Sequence, residues 1–513
     1  MQHAEGRRPD LRGLYPPTEA VVQAYLKQGK ALYIAGPLQS WVNGIQDRYQ
    51  LLPWGRLVRL APQAADPETL LPKLPHQSEA IFDNKLRLIG FDFAPQALDG
   101  QPYGVTLTWQ TLAQLQPETT ISLRLSQGEV IAAQLDDSLL SGWFPQNNLP
   151  TGQHLLSYVP IPVPPGTLPG KYRLQLVAYL SYKHPWSLAD GATLLDLGEV
   201  ELIIPPAGTT PTFTPLNPLI GFDFNGEISL ADYEYTANRV GQGKGFGVKL
   251  LWQALTTPED NYLLLAELVD RNGQVLRSVQ QQPVGGRAPT AAWQPGQFVR
   301  DQIDLVLPAG APVGDQAAQV RLSWLRPNGS KLTVRRWYLP LGDSLNLGWL
   351  DVTEKEGRVF TIPSIQQPVE ANFANKVRLL GYTPPAGLTW SQSRCAASAD
   401  ACTLHLDLIW QGLSEMDQLY FVFFHVVNQE GKMVAQQDKG PGIRGKEPTT
   451  SWLPGEVIID PVEVTLPANL PPGQYTLQVG LYLPPLEPRL PVLDQASTVI
   501  GDFVELGTLE VIH

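Results

Sequence analysis

Aromatic side chains standing outside apolar strand-like runs are the residues of this chain best suited to binding chemistry. Trp143 and Phe144 in SGWFPQNN, and Trp186 in SYKHPWSLADG, lie between such runs. Flat rings shown to solvent stack on the apolar faces of sugar rings, so these three are candidate carbohydrate-binding residues; the other role open to them is to close one end of a β-sandwich. Cys395 and Cys402, in RCAASADAC, could bind metal with His405 nearby, form a disulfide, or remain free thiols. A closed zinc site needs four ligands and no fourth is in sight. A disulfide closing the loop is the expectation, worth roughly 2 to 3 kcal/mol in loop entropy, and no metal site is expected.

Other stretches imitate catalytic motifs without their context. GQGKGFG, residues 241–247, looks like a phosphate cradle, but Gly245 follows Lys244 where a Ser or Thr is needed, and a strand-like run follows where a helix is needed. Gly342-Asp343-Ser344-Leu345 spells the nucleophile block of one esterase family, yet the partner blocks are missing. There is no Gly-x-Ser-x-Gly, His-Glu-x-x-His or calcium loop, and the seven histidines are scattered, with His405 and His425 in strand-like runs. Asn328-Gly329 reads as a hairpin turn, because that dipeptide tolerates positive φ. No catalytic residue and no cofactor are expected.

The elements that would carry these residues form a repeat. VTLTWQTL, VKLLWQAL and LHLDLIWQGL each end an alternating apolar run in a tryptophan, at Trp109, Trp252 and Trp410. At near-constant spacing follow Leu149, Trp293 and Trp452, and LLDLGEVEL, LNLGWLDV and VELGTLEV end the copies. LIGFDF at 88–93, LIGFDF at 219–224 and LLGYTP at 379–384 mark their beginnings. Short β-branched and aromatic runs bounded by Gly, Pro and Asn predict all-β structure. A repeat this long exceeds one solenoid turn, so each copy should be a domain with its own core.

The predicted architecture is mostly β: three tandem antiparallel β-sandwiches, Ig-like or jelly-roll-like, preceded by a small α/β piece. Residues 1–13 read as a tail, 14–62 as the α/β piece and 63–80 as a Pro-rich linker. The sandwiches span 81–204, 219–353 and 371–513, with linkers at 205–218 and 354–370. The α/β piece is small enough to need a neighbour to cover its sheet.

Composition excludes several classes. The 48 Pro and 45 Gly sit beside 43% hydrophobic residues, which fits turn-dense β structure rather than disorder. A net charge of −12 without a basic stripe argues against nucleic acid. No run of about 18 apolar residues suggests a membrane span. MQHAEGRRPDLRG lacks the apolar centre of a signal peptide, so no export signal is expected there. Two cysteines suit an extracytoplasmic protein that does not rely on disulfides.

The unit running from LLGY through NQEGKMVAQQD, PTTSWLPGEVIID and PPGQYTLQVGLYL resembles the extracytoplasmic C-terminal β-sandwich region of bacterial membrane glycosyltransferases similar to dolichyl-phosphate-mannose protein mannosyltransferases. AVVQAYLKQGKALYIAGPLQSWVNGIQDRYQLLPWGRLVRL looks like the small α/β piece that follows their last membrane helix. The resemblance implies an extracytoplasmic or cell-surface location, a membrane glycosyltransferase as partner, and a glycan or acceptor as ligand. Their catalytic carboxylate belongs to the membrane part, so the resemblance implies no catalytic residue within the stretch it covers. The implied role is therefore non-catalytic, with transferase activity only if joined to such a part. The alternative is a structural or adhesive spacer at the cell surface.

Overall fold

The computed structural model describes residues 23–24, 26–28, 32–35, 49–54, 57–141, 146–181, 184–206, 214–219, 221–383, 389–391, 403–442, 445–485 and 488–512. It is mostly β, built from antiparallel sheets packed as sandwiches. The chain divides into two compact units, Met1–Thr214 with Gly296–Arg300, and Pro215–Pro295 with Asp301–His513.

Three buried tryptophans organise the cores. Trp109, Trp252 and Trp410 are each fully buried. Each meets an equivalent phenylalanine, Phe82 at 6.2 Å, Phe224 at 5.9 Å and Phe373 at 5.7 Å between ring centroids. Each also pairs across the sheet with a leucine, Leu88, Leu230 or Leu379, just before a β-bulge. An alternating strand that turns one row of large apolar groups inward gains about 1.5 to 3 kcal/mol per buried side chain, which is what holds the facing sheets together.

The phenylalanine contacts correct one sequence landmark. LIGFDF at 219–224 does not match 88–93, because Phe224 occupies the place of Phe82 and Phe373. The strand that pairs with Trp252 is Ile228–Tyr235, so ISLADYEY is the true counterpart of LRLIGFDF.

The second and third sandwiches share one topology. In the second, one sheet runs Phe298–Val306, Gly245–Ala254, Ile228–Tyr235, Phe222–Phe224, Val334–Arg336, Leu339–Gly342. The other runs Arg239–Gly241, Leu345–Thr353, Gly314–Leu325, Leu263–Asp270, Val275–Gln281. The third repeats the six-stranded order from Val457–Thr465 to Val492–Leu493 and Val499–Gly501. Trp293 and Trp452 are also equivalent, each indole N–H donating 3.0 Å to a carbonyl five residues back, Ala288 and Glu447.

The first sandwich absorbs the piece before it. Strands Leu32–Ala35, Leu57–Pro62 and Tyr49–Trp54 continue the sheet of His154–Pro162, with Trp54 and Leu156 paired in parallel. The strands of the expected small α/β piece thus extend the sheet of the sandwich, the neighbour that a piece of this size needs, and they cover an edge strand that would otherwise be open. The expected linker 63–80 is likewise folded down, since His76 and Gln77 pair with Phe91 and Gly90.

The expected linker 354–370 is built into the contact between the second and third sandwiches. Lys355 Nζ lies 2.8 Å from Glu456 and 2.7 Å from Glu447, and Arg358 also pairs with Glu456, whose side chain is 1% exposed. Arg358 further donates to the Ser451 and Ala309 carbonyls. GQGKGFG is the other half of this joint. Gly243, at φ 75°, would place a Cβ 2.1 Å from Ser451 Cα, so only glycine lets the two backbones approach. Thr450 Oγ1 donates to the Gly243 carbonyl and Lys244 Nζ to that of Lys446. The segment then runs into the strand Gly245–Ala254.

Candidate functional site: an aromatic hairpin over a polar groove

The strands Val334–Arg336 and Leu339–Gly342 are joined by only two residues, Trp337 and Tyr338, at φ 46° and 72°. Such a tight turn requires positive φ at both central positions, which suits Asn-Gly and penalises residues with a bulky side chain. Each non-glycine held there costs on the order of 1 to 3 kcal/mol. The equivalent connection in the third sandwich shows that the architecture does not call for rings. There Asp494 Oδ1 accepts the N–H groups of Ala496 and Thr498, a polar turn with suitable chemistry.

The rings are also displayed. Trp337 is 62% exposed and Tyr338 85%, followed by exposed Leu339 and Leu341. They stand over a groove of about 410 Å³ whose polar lining includes Asp223, Ser229, Gln253 and Arg335.

Two glycines make this arrangement possible. A Cβ on Gly221 would sit 1.9 Å from the Trp337 Nε1, so glycine lets the indole lie against the chain, and the Trp337 N–H donates 2.9 Å to the Gly221 carbonyl. A Cβ on Gly226 would be 2.0 Å from Arg335 Nη2. Asp223 Oδ1 accepts both the Gly226 N–H and Arg335 Nε, the latter at 2.8 Å, which locks the carboxylate and guanidinium together in the groove. Across the sheet, Arg336 pairs with Phe222 and its guanidinium lies 5.0 Å from the Phe222 ring and 5.0 Å from that of Trp337.

Among the described residues that line the groove, Asp223 is the one carboxylate. Asp223 is committed to Arg335, and Glu227 is buried, accepting from the Tyr262 hydroxyl at 2.7 Å and the Glu259 N–H at 2.9 Å. Buried carboxylates elsewhere anchor loops. Asp99 accepts the Gly166 and Thr167 N–H groups, and burial pushes its pKa up to about 6. Asp301 accepts from Val284, and Asp460 from Gly442 and Lys439; burial raises both. His425 lies 3.4 Å from Asp438, but burial outweighs that carboxylate and lowers its pKa, and its cross-strand neighbours are Gln436 and Gln478 rather than a nucleophile. Ser344 of Gly-Asp-Ser-Leu merely connects Leu339–Gly342 to Leu345–Thr353. Among the described residues no three His, Cys, Asp or Glu gather as a metal site, and no helix is long and apolar enough to cross a membrane.

The residues singled out from sequence fare differently. Trp143, Phe144, Cys395 and Cys402 lie outside the described residues. Trp186 is described and is 6% exposed within the core of the first sandwich, with Lys85 Nζ 5.0 Å over its ring. Its faces are taken by the core and a cation, so it closes the sandwich and does not present a ring to a sugar. The Trp337–Tyr338 hairpin was not anticipated. Its signal was present in VRRWYLPLG, where two strand-like runs meet through aromatic residues and no turn former.

No protein-family description matches the chain, and no curated protein matches it. Among solved structures, the crystal structure of the C-terminal domain of wzt is similar at 14% identity over 28% of this chain and 83% of that one, with a TM-score of 0.21. The native conformation of E. coli alpha-2-macroglobulin is similar at 11% identity over 78% of this chain and 19% of that one, with a TM-score of 0.15. Likenesses this low carry no argument about fold or ligand.

Proposed function

We propose that this chain is a non-catalytic β-sandwich array that holds glycan at the groove of its second sandwich. The observation that carries this reading is the pair Trp337 and Tyr338, exposed and held in a turn that their side chains make costly. Strain retained at the surface calls for a role outside the fold. Flat rings beside a carboxylate, a guanidinium, an amide and a hydroxyl match a sugar, which has an apolar face and a rim of hydroxyls. An extracytoplasmic place beside a membrane glycosyltransferase rests on the resemblance of the repeat unit alone.

The test is a glycan array followed by calorimetric titration with wild type, Trp337→Ala and Tyr338→Ala. Stacking through two rings should give dissociation constants in the roughly micromolar to millimolar range, weakened at least tenfold by Trp337→Ala. Binding that survives both substitutions would move the site elsewhere. No binding to any glycan would favour the spacer reading, which the ion-paired joint around Glu456 supports.

A further inference from the structure

Beside the groove, against two of the rings that line it, stands a cation that is not itself part of the lining, Arg336. Arg335 is neutralised by Asp223 at 2.8 Å. Arg336, one residue on, has no carboxylate within ion-pair distance among the described residues. The hairpin's own acidic residue, Asp343, follows Gly342 at the open end, away from the turn. Its guanidinium is instead placed by rings, 5.0 Å from Phe222 and 5.0 Å from Trp337, both of which line the groove. An exposed cation with no carboxylate partner among the described residues, held in a set orientation by aromatic neighbours, is organised to receive an anion from outside. A guanidinium offers a carboxylate two parallel N–H donors.

We propose that the groove takes an acidic glycan, one bearing uronate residues, with Arg336 as the group that reads the charge. The inference rests on the glycan reading above and narrows it. A uronate carries its carboxylate directly on the pyranose ring, so a sugar stacked at Trp337 brings the charge to the rim without a flexible spacer, and Arg336 abuts that same indole. The chain as a whole carries a net charge of −12, so a polyanion gains nothing from the overall field. Recognition must come from this local cation, and its benefit must fade with salt as an exposed pair is screened.

The experiment titrates the full chain with tetragalacturonate, with its fully methyl-esterified form, and with neutral cello- and manno-oligosaccharides, using wild type, Arg336→Gln and Trp337→Ala. In wild type the free acid should bind at least about tenfold more tightly than the ester at low salt, a difference of about 1.4 kcal/mol. The gap should shrink at about 0.5 M salt. Arg336→Gln should abolish the gap by bringing the free acid down to the level of the ester, whereas Trp337→Ala should weaken acid and ester together. Acid and ester binding alike, or neutral oligosaccharides binding in preference, with dependence on Trp337 in either case, would overturn the acidic-glycan inference while leaving the glycan reading in place. Binding of none of these sugars would overturn both.

Discussion

Replacing Trp337 by Asn and Tyr338 by Gly separates the needs of the fold from those of the ligand. The substitution installs the dipeptide that a two-residue hairpin favours, relieving two left-handed residues at roughly 1 to 2 kcal/mol each. Against that stands the buried part of the indole. Trp337 is 62% exposed, so a little over a third of a side chain of roughly 250 Å² is covered, worth about 2 kcal/mol at about 25 cal/mol/Å². Loss of the Arg336 contact adds about 0.5 kcal/mol. The terms nearly cancel, so thermal and denaturant midpoints should move little, by under about 1 kcal/mol or about 5 °C. Glycan binding should vanish in the same protein. Differential scanning calorimetry and titration on one preparation make the comparison. Destabilisation by about 3 kcal/mol or more would refute the reasoning, since it would mean the rings close the sandwich and the turn carries no strain of consequence.

Three further outcomes follow from the packing. Trp410→Ala should cost about 3 to 5 kcal/mol and melt the third sandwich first, seen as early loss of amide protection along Thr403–Gly412. Glu456→Gln leaves Lys355 and Arg358, each 10% exposed, short of their shared carboxylate; it should cost about 3 to 5 kcal/mol and open residues 354–370 to limited proteolysis. Asp99 has a folded pKa raised to about 6 against an ordinary 3.8, so its ionised form disfavours the fold. Its contribution improves as pH falls from about 7 to about 4, by up to roughly 3 kcal/mol at 1.36 kcal/mol per unit, and carboxyl-detected NMR should show it titrating near pH 6.

The cores were legible because their signal is physical and repeated. A strand that alternates and ends in a large ring can bury only one face, and the three tryptophans do so. The landmark LIGFDF misled because six similar letters outweighed the contact that defines equivalence, a phenylalanine against the tryptophan. Trp186 misled for a related reason. Between-strand position shows that a ring is not in the ladder, yet a loop that folds inward buries its ring as thoroughly as a strand does, and Lys85 above it completes the cover. The linkers misled because proline content speaks of stiffness and not of partners. Nothing local to EKEGRVFTIPSIQQPVE announces that Lys355 and Arg358 meet a carboxylate about a hundred residues away.

Three copies on one chain provide an internal control for deciding which residues the architecture requires. Phe82, Phe224 and Phe373 occupy one place in all three copies, and Trp293 matches Trp452 down to the carbonyl its indole reaches. Those are demands of the fold. Asp494 and its polar turn show that the last hairpin of the third sandwich closes with ordinary turn chemistry. Trp337 and Tyr338 depart from it in the direction that costs stability, and the second sandwich clears space for Trp337 with Gly221 and for Arg335 with Gly226. A change that is costly locally and accommodated by its neighbours is one the fold did not need, and for that reason the search for a ligand starts at this hairpin.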